Sequence, residues 1–306
     1  MQEGITEYFT FGIRLAKTNG TRPTWQDIMR CVASQQYNYQ EEAMMITMEN
    51  VCKSYRIAKR NAGFGEACKA LFHREYEEIH ALQNVSFTIE DGEMVGYIGP
   101  NGAGKSSTIK ILSGILTPDS GTCLVDGRIP WKNRIQHVAQ IGVVFGQRSQ
   151  LWWDVPVIDS FELLKDIYSI PDGIYRENLD ELTELLNLED LLRTPTRQLS
   201  LGQRMRCEIA ASLLHSPKIL FLDEPTIGLD AVSKLAVRDF IKRRNETHKT
   251  TVILTTHDMQ DIEALTRRII LIGKGQILMD GSLEDIKKGN ANIDETVAEL
   301  YRTYEI

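Results

Sequence analysis

The stretch Gly99-Pro100-Asn101-Gly102-Ala103-Gly104-Lys105-Ser106 constrains the fold more than any other part of this chain. It follows the pattern G-x-x-x-x-G-K-[ST] and lies between a short apolar strand, Met94 to Ile98, and a stretch from Ser107 to Ile115 that reads as a helix. Three glycines allow the backbone to wrap an anion so that successive N–H groups and the helix N-terminus point at it. In such a loop Lys105 reaches the terminal phosphates and the Ser106 hydroxyl suits Mg2+, so the chain is expected to bind a nucleoside triphosphate. The alternative is a glycine-rich turn that matches by chance.

Two further segments narrow the class of phosphate chemistry. Ile219-Leu220-Phe221-Leu222-Asp223-Glu224 reads as a strand buried on both faces, ending in two carboxylates at the carboxyl edge of a sheet, where ligands sit in open α/β folds. Asp223 is placed to hold Mg2+ through water, and Glu224, adjacent and aimed differently, is the candidate to polarise an attacking water. As a plain structural element, Glu224 would be a solvated acid in the following turn. Leu199-Ser200-Leu201-Gly202-Gln203-Arg204 opens a helix through Leu214, with Ile209, Leu213 and Leu214 on its apolar stripe. A Ser N-cap followed by Gly makes an exposed helix N-terminus, which is either a second anion site or simply a capped helix.

At this point the chain resembles the ATP-binding subunit of an ABC transporter, whose signature is usually Leu-Ser-Gly-Gly-Gln. The order of the remaining pieces agrees: Gln147 in Phe145-Gly146-Gln147, Asp230 in Gly228-Leu229-Asp230, and His257 after the strand Thr251 to Thr255. The resemblance covers about Ile46 to Ile286. It implies an α/β, P-loop NTPase (RecA-like) core with an antiparallel β subdomain and an inserted α-helical signature subdomain. It implies ATP and Mg2+ as cofactors, with Gly99, Pro100, Asn101, Gly102, Ala103, Gly104, Lys105, Ser106 and Ser107 around the phosphates and Ser106, Gln147 and Asp223 at the metal. Glu224, His257 and Lys105 become the catalytic groups. Tyr55, after the strand Met45 to Val51, would stack on adenine, although an isolated tyrosine there also suits strand-edge packing. Gln147 would sense the γ-phosphate and couple it to a membrane partner. His257 would hold the γ-phosphate and the attacking water.

The match has two departures. Leu201 replaces the usual first glycine of the signature, but the Ser200 hydroxyl and the backbone near Gly202 and Gln203 are retained, so function is expected to survive. Ser107 stands where many relatives carry Thr, and either supplies a hydroxyl. In this family the signature of one subunit completes the phosphate site of another, with Asp230 in the loop between them. Two copies, or one copy and a paralogous relative, would therefore sandwich two ATP molecules head to tail, in keeping with the prevalence of two-fold assemblies.

Composition limits what such a machine can contain. The chain has 306 residues, 42% hydrophobic and 25% charged, enough for one large core and a smaller lobe. No apolar run approaches the roughly twenty residues that span a bilayer, so a pore is expected on a separate polypeptide, with this chain peripheral on the cytoplasmic face of the inner or plasma membrane. Glu3 and Glu7 replace the basic region of a secretory signal. Cys31, Cys52, Cys68, Cys123 and Cys207 are scattered without metal spacing, which implies a reducing compartment. A net charge of -7 argues against direct nucleic-acid binding. Lys53, Arg56, Lys59, Arg60, Lys69 and Arg74 concentrate before the strand Val85-Phe87-Ile89, where they suit either a solvated insertion or a contact with headgroups or a permease loop.

Between the two halves of the sheet, about residues 150–215, Phe161, Leu164 and Tyr168 and then Leu179, Leu182, Leu185 and Leu186 repeat at helical spacing. Trp152 and Trp153 are adjacent and cannot share a face, so at least one is expected to look outward, in the region where the family receives a helix of the membrane subunit; the alternative folds both rings into the helical lobe. The run Phe145 to Pro156 resembles subunits paired with ABC-2 type exporter permeases, which favours export; the transported substrate would not touch this chain. The rival reading is a soluble mechanical ATPase acting on ribosomes or DNA, but the second cassette or long coiled coils of those proteins are absent from this sequence. The cassette is expected over 44–286, followed by a helical tail over 287–306 that a helix opening at Asp280 to Ile286 leads into. Residues 1–43, with Asn19-Gly20, Arg22-Pro23 and a polar Gln35 to Gln40 run, match nothing in the family and are expected to be poorly ordered. Glu41-Glu42-Ala43 before Met44-Met45 is also what a read-through ribosome-binding sequence would encode, so a translation start at Met44 or Met45 is one expectation and a genuine extension the other.

Overall fold

The apolar runs that read as strands line up side by side in a computed structural model, which describes residues 44–58, 76–146, 148–287 and 293–304. The expectations for residues 1–43, Lys59, Arg60, Cys68, Lys69, Arg74 and Gln147 lie outside the described residues. In chain order the strands are β1 (Met44–Ala58), β2 (Tyr76–Glu90), β3 (Met94–Ile98), β4 (Ser120–Val125), β5 (Ile141–Phe145), β6 (Ile219–Asp223), β7 (Thr251–Thr255), β8 (Arg268–Gly273) and β9 (Gln276–Ser282). The α-helices are α1 (Lys105–Leu112), α2 (Arg134–Val138), α3 (Val157–Tyr168), α4 (Asp172–Leu186), α5 (Leu201–Leu213), α6 (Ala231–His248), α7 (Met259–Leu265), α8 (Leu283–Lys287) and α9 (Ile293–Thr303).

The larger sheet runs β5-β6-β7-β3-β8-β9; its first five strands are parallel and β9 closes it antiparallel. Side chains alternate across a strand, and β6 shows what that does here. Ile219 and Phe221 enter a core shared with β1, β2 and α1, while Leu220 and Leu222 enter a second core built with α3 to α7. Burial on both faces is why this strand is a continuous apolar run, and each such side chain contributes about 1.5–3 kcal/mol. The second sheet, β2-β1-β4, is antiparallel and packs through Ile46, Phe87 and Val125 onto the first core. This is the α/β arrangement that the sequence predicted.

Several boundaries differ from the sequence reading. β1 continues past Val51 to Ala58, with Tyr55 opposite Ile79, so Tyr55 lies in the strand and not after it. The polar residues there are held extended by pairing with β2, which begins at Tyr76, so Lys53 and Arg56 of the basic stretch are strand residues. Lys53 donates to Asp119, 2.6 Å away. Helix α1 begins at Lys105, two residues earlier than expected, and Asp280 to Ser282 belong to β9 rather than to a helix.

The topology places three functional turns together. β6, β7 and β3 are adjacent, and their carboxyl ends lead respectively into Asp223-Glu224, His257 and the Gly99 to Ser106 loop.

Candidate functional site

The phosphate loop is held in shape by what surrounds it. Gly104, at the N-cap of α1, has φ +115, and a Cβ there would lie 2.6 Å from the Ala81 carbonyl oxygen, so only glycine fits. No side chain caps α1, which leaves the helix N-terminus open toward the loop. The buried Lys105 donates from Nζ to the carbonyl oxygens of Gly99 at 2.6 Å and Pro100 at 3.2 Å. Burial lowers its pKa, while the charges of Glu224 and Asp223 act the other way.

A cavity of about 830 Å3 opens over this loop. Its lining brings together Gly99, Pro100, Asn101, Gly102, Gly104, Lys105, Ser106 and Ser107 with Asp223, Glu224 and His257. Ala103 is buried beneath the loop. Tyr55 is not among the lining residues: its hydroxyl lies 3.3 Å from the Ser107 Oγ, and Ile79 and Ala81 form that wall.

The carboxylates differ in setting, as adjacent residues at a strand end must. Asp223 Oδ1 accepts a hydrogen bond from the Thr255 hydroxyl at 2.6 Å, which leaves its second oxygen for a ligand. Glu224 has φ +56, a left-handed backbone uncommon for a non-glycine residue, and its N–H is tied to the Thr255 carbonyl at 2.9 Å. Burial raises the pKa of the Glu224 carboxyl; His257 and Lys105 oppose that shift and Asp223 adds to it. His257 Nδ1 lies 2.8 Å from the Glu224 Oε2, a contact that is an ion pair only when the imidazole is protonated.

The N-terminus of α5 is built differently and lies outside that cavity. Ser200 Oγ accepts from the Gln203 N–H at 3.2 Å, and Gln203 Oε1 accepts from the Ser200 N–H at 2.8 Å, a reciprocal capping box. At Gly202 a Cβ would come within 2.5 Å of the Ser233 hydroxyl, so glycine lets α5 touch the start of α6. There Asp230 caps α6, accepting from the Ser233 N–H at 3.0 Å and its hydroxyl at 2.7 Å. The Leu201 side chain lies over Gly228, where an added Cβ would sit 2.7 Å from it, so the larger residue is accommodated without disturbing the cap. Ser200, Gly202, Gln203 and Asp230 do not line the cavity.

Comparison with known proteins follows the same lines. A family model described as ABC transporter matches residues 82–227. The ABC transporter ATP-binding protein NatA of Bacillus subtilis (strain 168) is 30% identical over 227 residues, covering 74% of this chain and 92% of NatA. The chain belongs to the ABC transporter ATP-binding proteins. The linearmycin resistance ATP-binding protein LnrL of Bacillus subtilis (strain 168) is 32% identical over 213 residues, covering 70% of this chain and 68% of LnrL. Among solved structures, the dimeric post-hydrolysis state of the ATP-binding cassette MJ0796 bound to ADP and Pi aligns with a TM-score of 0.65 and 28% identity, covering 78% of this chain and 99% of that one. This ABC subunit binds and hydrolyses ATP on a P-loop NTPase fold. Among its described residues no helix is long and apolar enough to cross a membrane.

The donors present suit a hard cation. Ser106 and Asp223 give a hydroxyl and a carboxylate to one cavity, and among the described residues there is no cluster of three or more His, Cys, Asp or Glu that would form an all-protein cage. Mg2+ is commonly held in that way, by one or two protein oxygens and substrate phosphates.

Three features of this ABC subunit escaped sequence reasoning. Both Trp152 and Trp153 face outward, 58% and 52% exposed, with the Arg204 guanidinium 5.9 Å from the Trp153 ring centre. The turn before them is clamped to α5 by the buried Glu208, which accepts from the Ser149 hydroxyl and, at 3.1 Å, from the Gln150 N–H. Burial raises the Glu208 pKa against those bonds. A lone acid inside the apolar run Cys207 to Leu214 was the available signal. Finally, Val297, Ala298 and Tyr301 of α9 line one side of the nucleotide cavity, which nothing in the tail sequence announced.

Proposed function

We propose that this subunit drives export through a separately encoded membrane permease of the ABC-2 type, closing on ATP as a head-to-tail pair with a second copy or a paralogous subunit. The separation of the two anion-facing helix ends carries the proposal. Lys105, Asp223, Glu224 and His257 share one cavity, while Ser200 and Asp230 lie outside it, so a complete site takes its signature from a partner. A solved relative, the MJ0796 cassette, is dimeric, and the names of LnrL and of the probable multidrug protein YbhF of Escherichia coli (strain K12) support export.

Within each site, the open α1 N-terminus and Lys105 hold the phosphates of ATP, and Ser106, Asp223 and Gln147 hold Mg2+, which neutralises phosphate charge. Glu224 orients the attacking water and takes its proton, and His257 fixes the Glu224 carboxylate and reaches the γ-phosphate. Tyr55 supplies an aromatic surface for adenine beside Ile79. Ser200 and Gly202, with Gln203 completing the cap, present the partner's hydroxyl and N–H groups to the γ-phosphate, and Asp230 lies between the two sites. Trp152 and Trp153 dock a permease helix, which makes the subunit peripheral to the membrane. Neither nucleic acid nor the transported molecule is contacted.

Glu224→Gln with Mg-ATP tests this reading: a dimer should accumulate on size-exclusion chromatography, and one that stays monomeric at saturating ATP would remove the head-to-tail model. Co-purification of the tagged chain from its native membrane should bring a polytopic permease, and recovery with ribosomes or DNA instead would favour the mechanical ATPase.

A further inference from the structure

Helix α6 is fastened at one place to both catalytic turns. Asp261, on α7, is fully buried with 0% exposure, and three side chains from separate segments converge on it. The Thr226 hydroxyl, two residues beyond Glu224, donates to Oδ2. The Thr256 hydroxyl, next to His257, reaches the same oxygen at 3.4 Å. Arg238 of α6 donates from Nε to Oδ1 at 2.5 Å, and its Nη2 pairs with the same carboxylate. Beside them, Lys234 of α6 holds Asp258 at 2.5 Å, and the Asp258 N–H donates to the Thr256 hydroxyl at 3.0 Å.

We propose that Asp261 and Arg238 are positioning residues for hydrolysis, a joint that ties the Glu224 and His257 turns to α6 and thereby to Asp230 at its N-terminus. The physical case is that a buried carboxylate facing a guanidinium must keep its partners, since a charge left unpaired in the interior is costly. The Thr226 turn, the Thr256 turn and α6 therefore move together or not at all. Asp230 and Ser233 stand at the end of α6 that touches Gly202, so a shift of the signature corner would reach Glu224 and His257 through this joint. Thr226, Arg238, Thr256 and Asp261 do not line the nucleotide cavity, so nucleotide affinity should be spared.

The test is Asp261→Asn, which keeps the shape and removes the charge. Expected is a kcat at least tenfold lower, with the Kd for Mg-ATP within about twofold of wild type, measured where thermal unfolding shows both proteins folded. Thr226→Val, a milder cut that keeps the ion pair, should lower kcat severalfold on the same terms and replaces Asp261→Asn if that variant does not fold. Asp280→Asn, which breaks the ion pair between Arg268 and Asp280 on the far edge of the sheet, should leave kcat unchanged. A joint also predicts non-additivity: once Asp261→Asn is present, adding Asp230→Ala should cost little more, whereas two unrelated structural losses would multiply. Full multiplication, or a kcat loss in Asp261→Asn and Thr226→Val no greater than in Asp280→Asn, would overturn the proposal. It rests on Glu224 and His257 being the catalytic pair, and that reading fails separately if Glu224→Gln turns over at the wild-type rate.

Discussion

Helices α1 and α5 both begin at residues proposed to meet phosphate, yet one end is left open and the other is closed on itself. At α1 a glycine in a left-handed conformation occupies the cap, so the first N–H groups of the helix have no side chain on them. At α5 the Ser200 and Gln203 side chains each satisfy the other's N–H. An open end suits a ligand held through its whole residence in the same subunit, because phosphate oxygens become the missing cap. A closed end suits a surface that must be stable before its ligand arrives from another subunit and after it leaves.

The largest effect should come where neither helix end is touched. Glu224→Gln should lower kcat by about 10²-fold or more, the usual scale for a positioned base, with ATP binding retained; phosphate release and equilibrium binding measure the two parts. Next is the open end itself. Lys105→Ala should weaken ATP binding by about 10- to 100-fold, because a charge-assisted contact is worth about 1.5–3 kcal/mol, and titration calorimetry reads this directly. Equal ATP affinity in that variant would remove the contrast between the two ends.

The closed end should respond as a folding element. Ser200→Ala removes a cap worth about 1 kcal/mol and should lower Tm by about 2–4 °C, whereas α1 has no cap to lose. Leu201→Gly should change turnover by no more than about threefold, since Leu201 packs over Gly228 and the cap does not involve its side chain; a hundredfold rise would mean that Leu201 impairs the signature. The smallest effect concerns Glu208 in the middle of α5. Burial raises its carboxyl pKa above 4.5, so the protonated form is favoured on folding. Its contribution is fully present below pH 4.5 and lost as pH rises through the folded-state value. Urea midpoints should show wild type losing ground to Glu208→Gln between pH 4.5 and 7.5.

Legibility in the sequence followed the spacing of the residues. The phosphate loop, the buried strand ending at Asp223 and the Ser200 cap were readable because each is a contiguous stretch whose period or pattern is set by local chemistry. The length of β1 was not readable, since its polar second half is extended only by pairing with β2. Tyr55 was placed after the strand for the same reason, and its hydroxyl contact with Ser107 spans 52 positions. Of the two adjacent tryptophans, alternation demanded only that one look outward; that both do follows from a turn pinned by Glu208 and Ser160.

By itself, then, the sequence determined the parts that bind phosphate, because backbone N–H groups and a few adjacent side chains suffice for them. The tertiary structure decided which parts meet. Glu224 finds His257, and Asp223 finds Thr255, only because β6 lies beside β7, and β7 beside β3, in an order that chain sequence does not follow. The same packing buries Asp261 among three segments and leaves Ser200 outside the cavity. Side chains far apart along the chain acquire a shared fate only when burial removes water as their alternative partner.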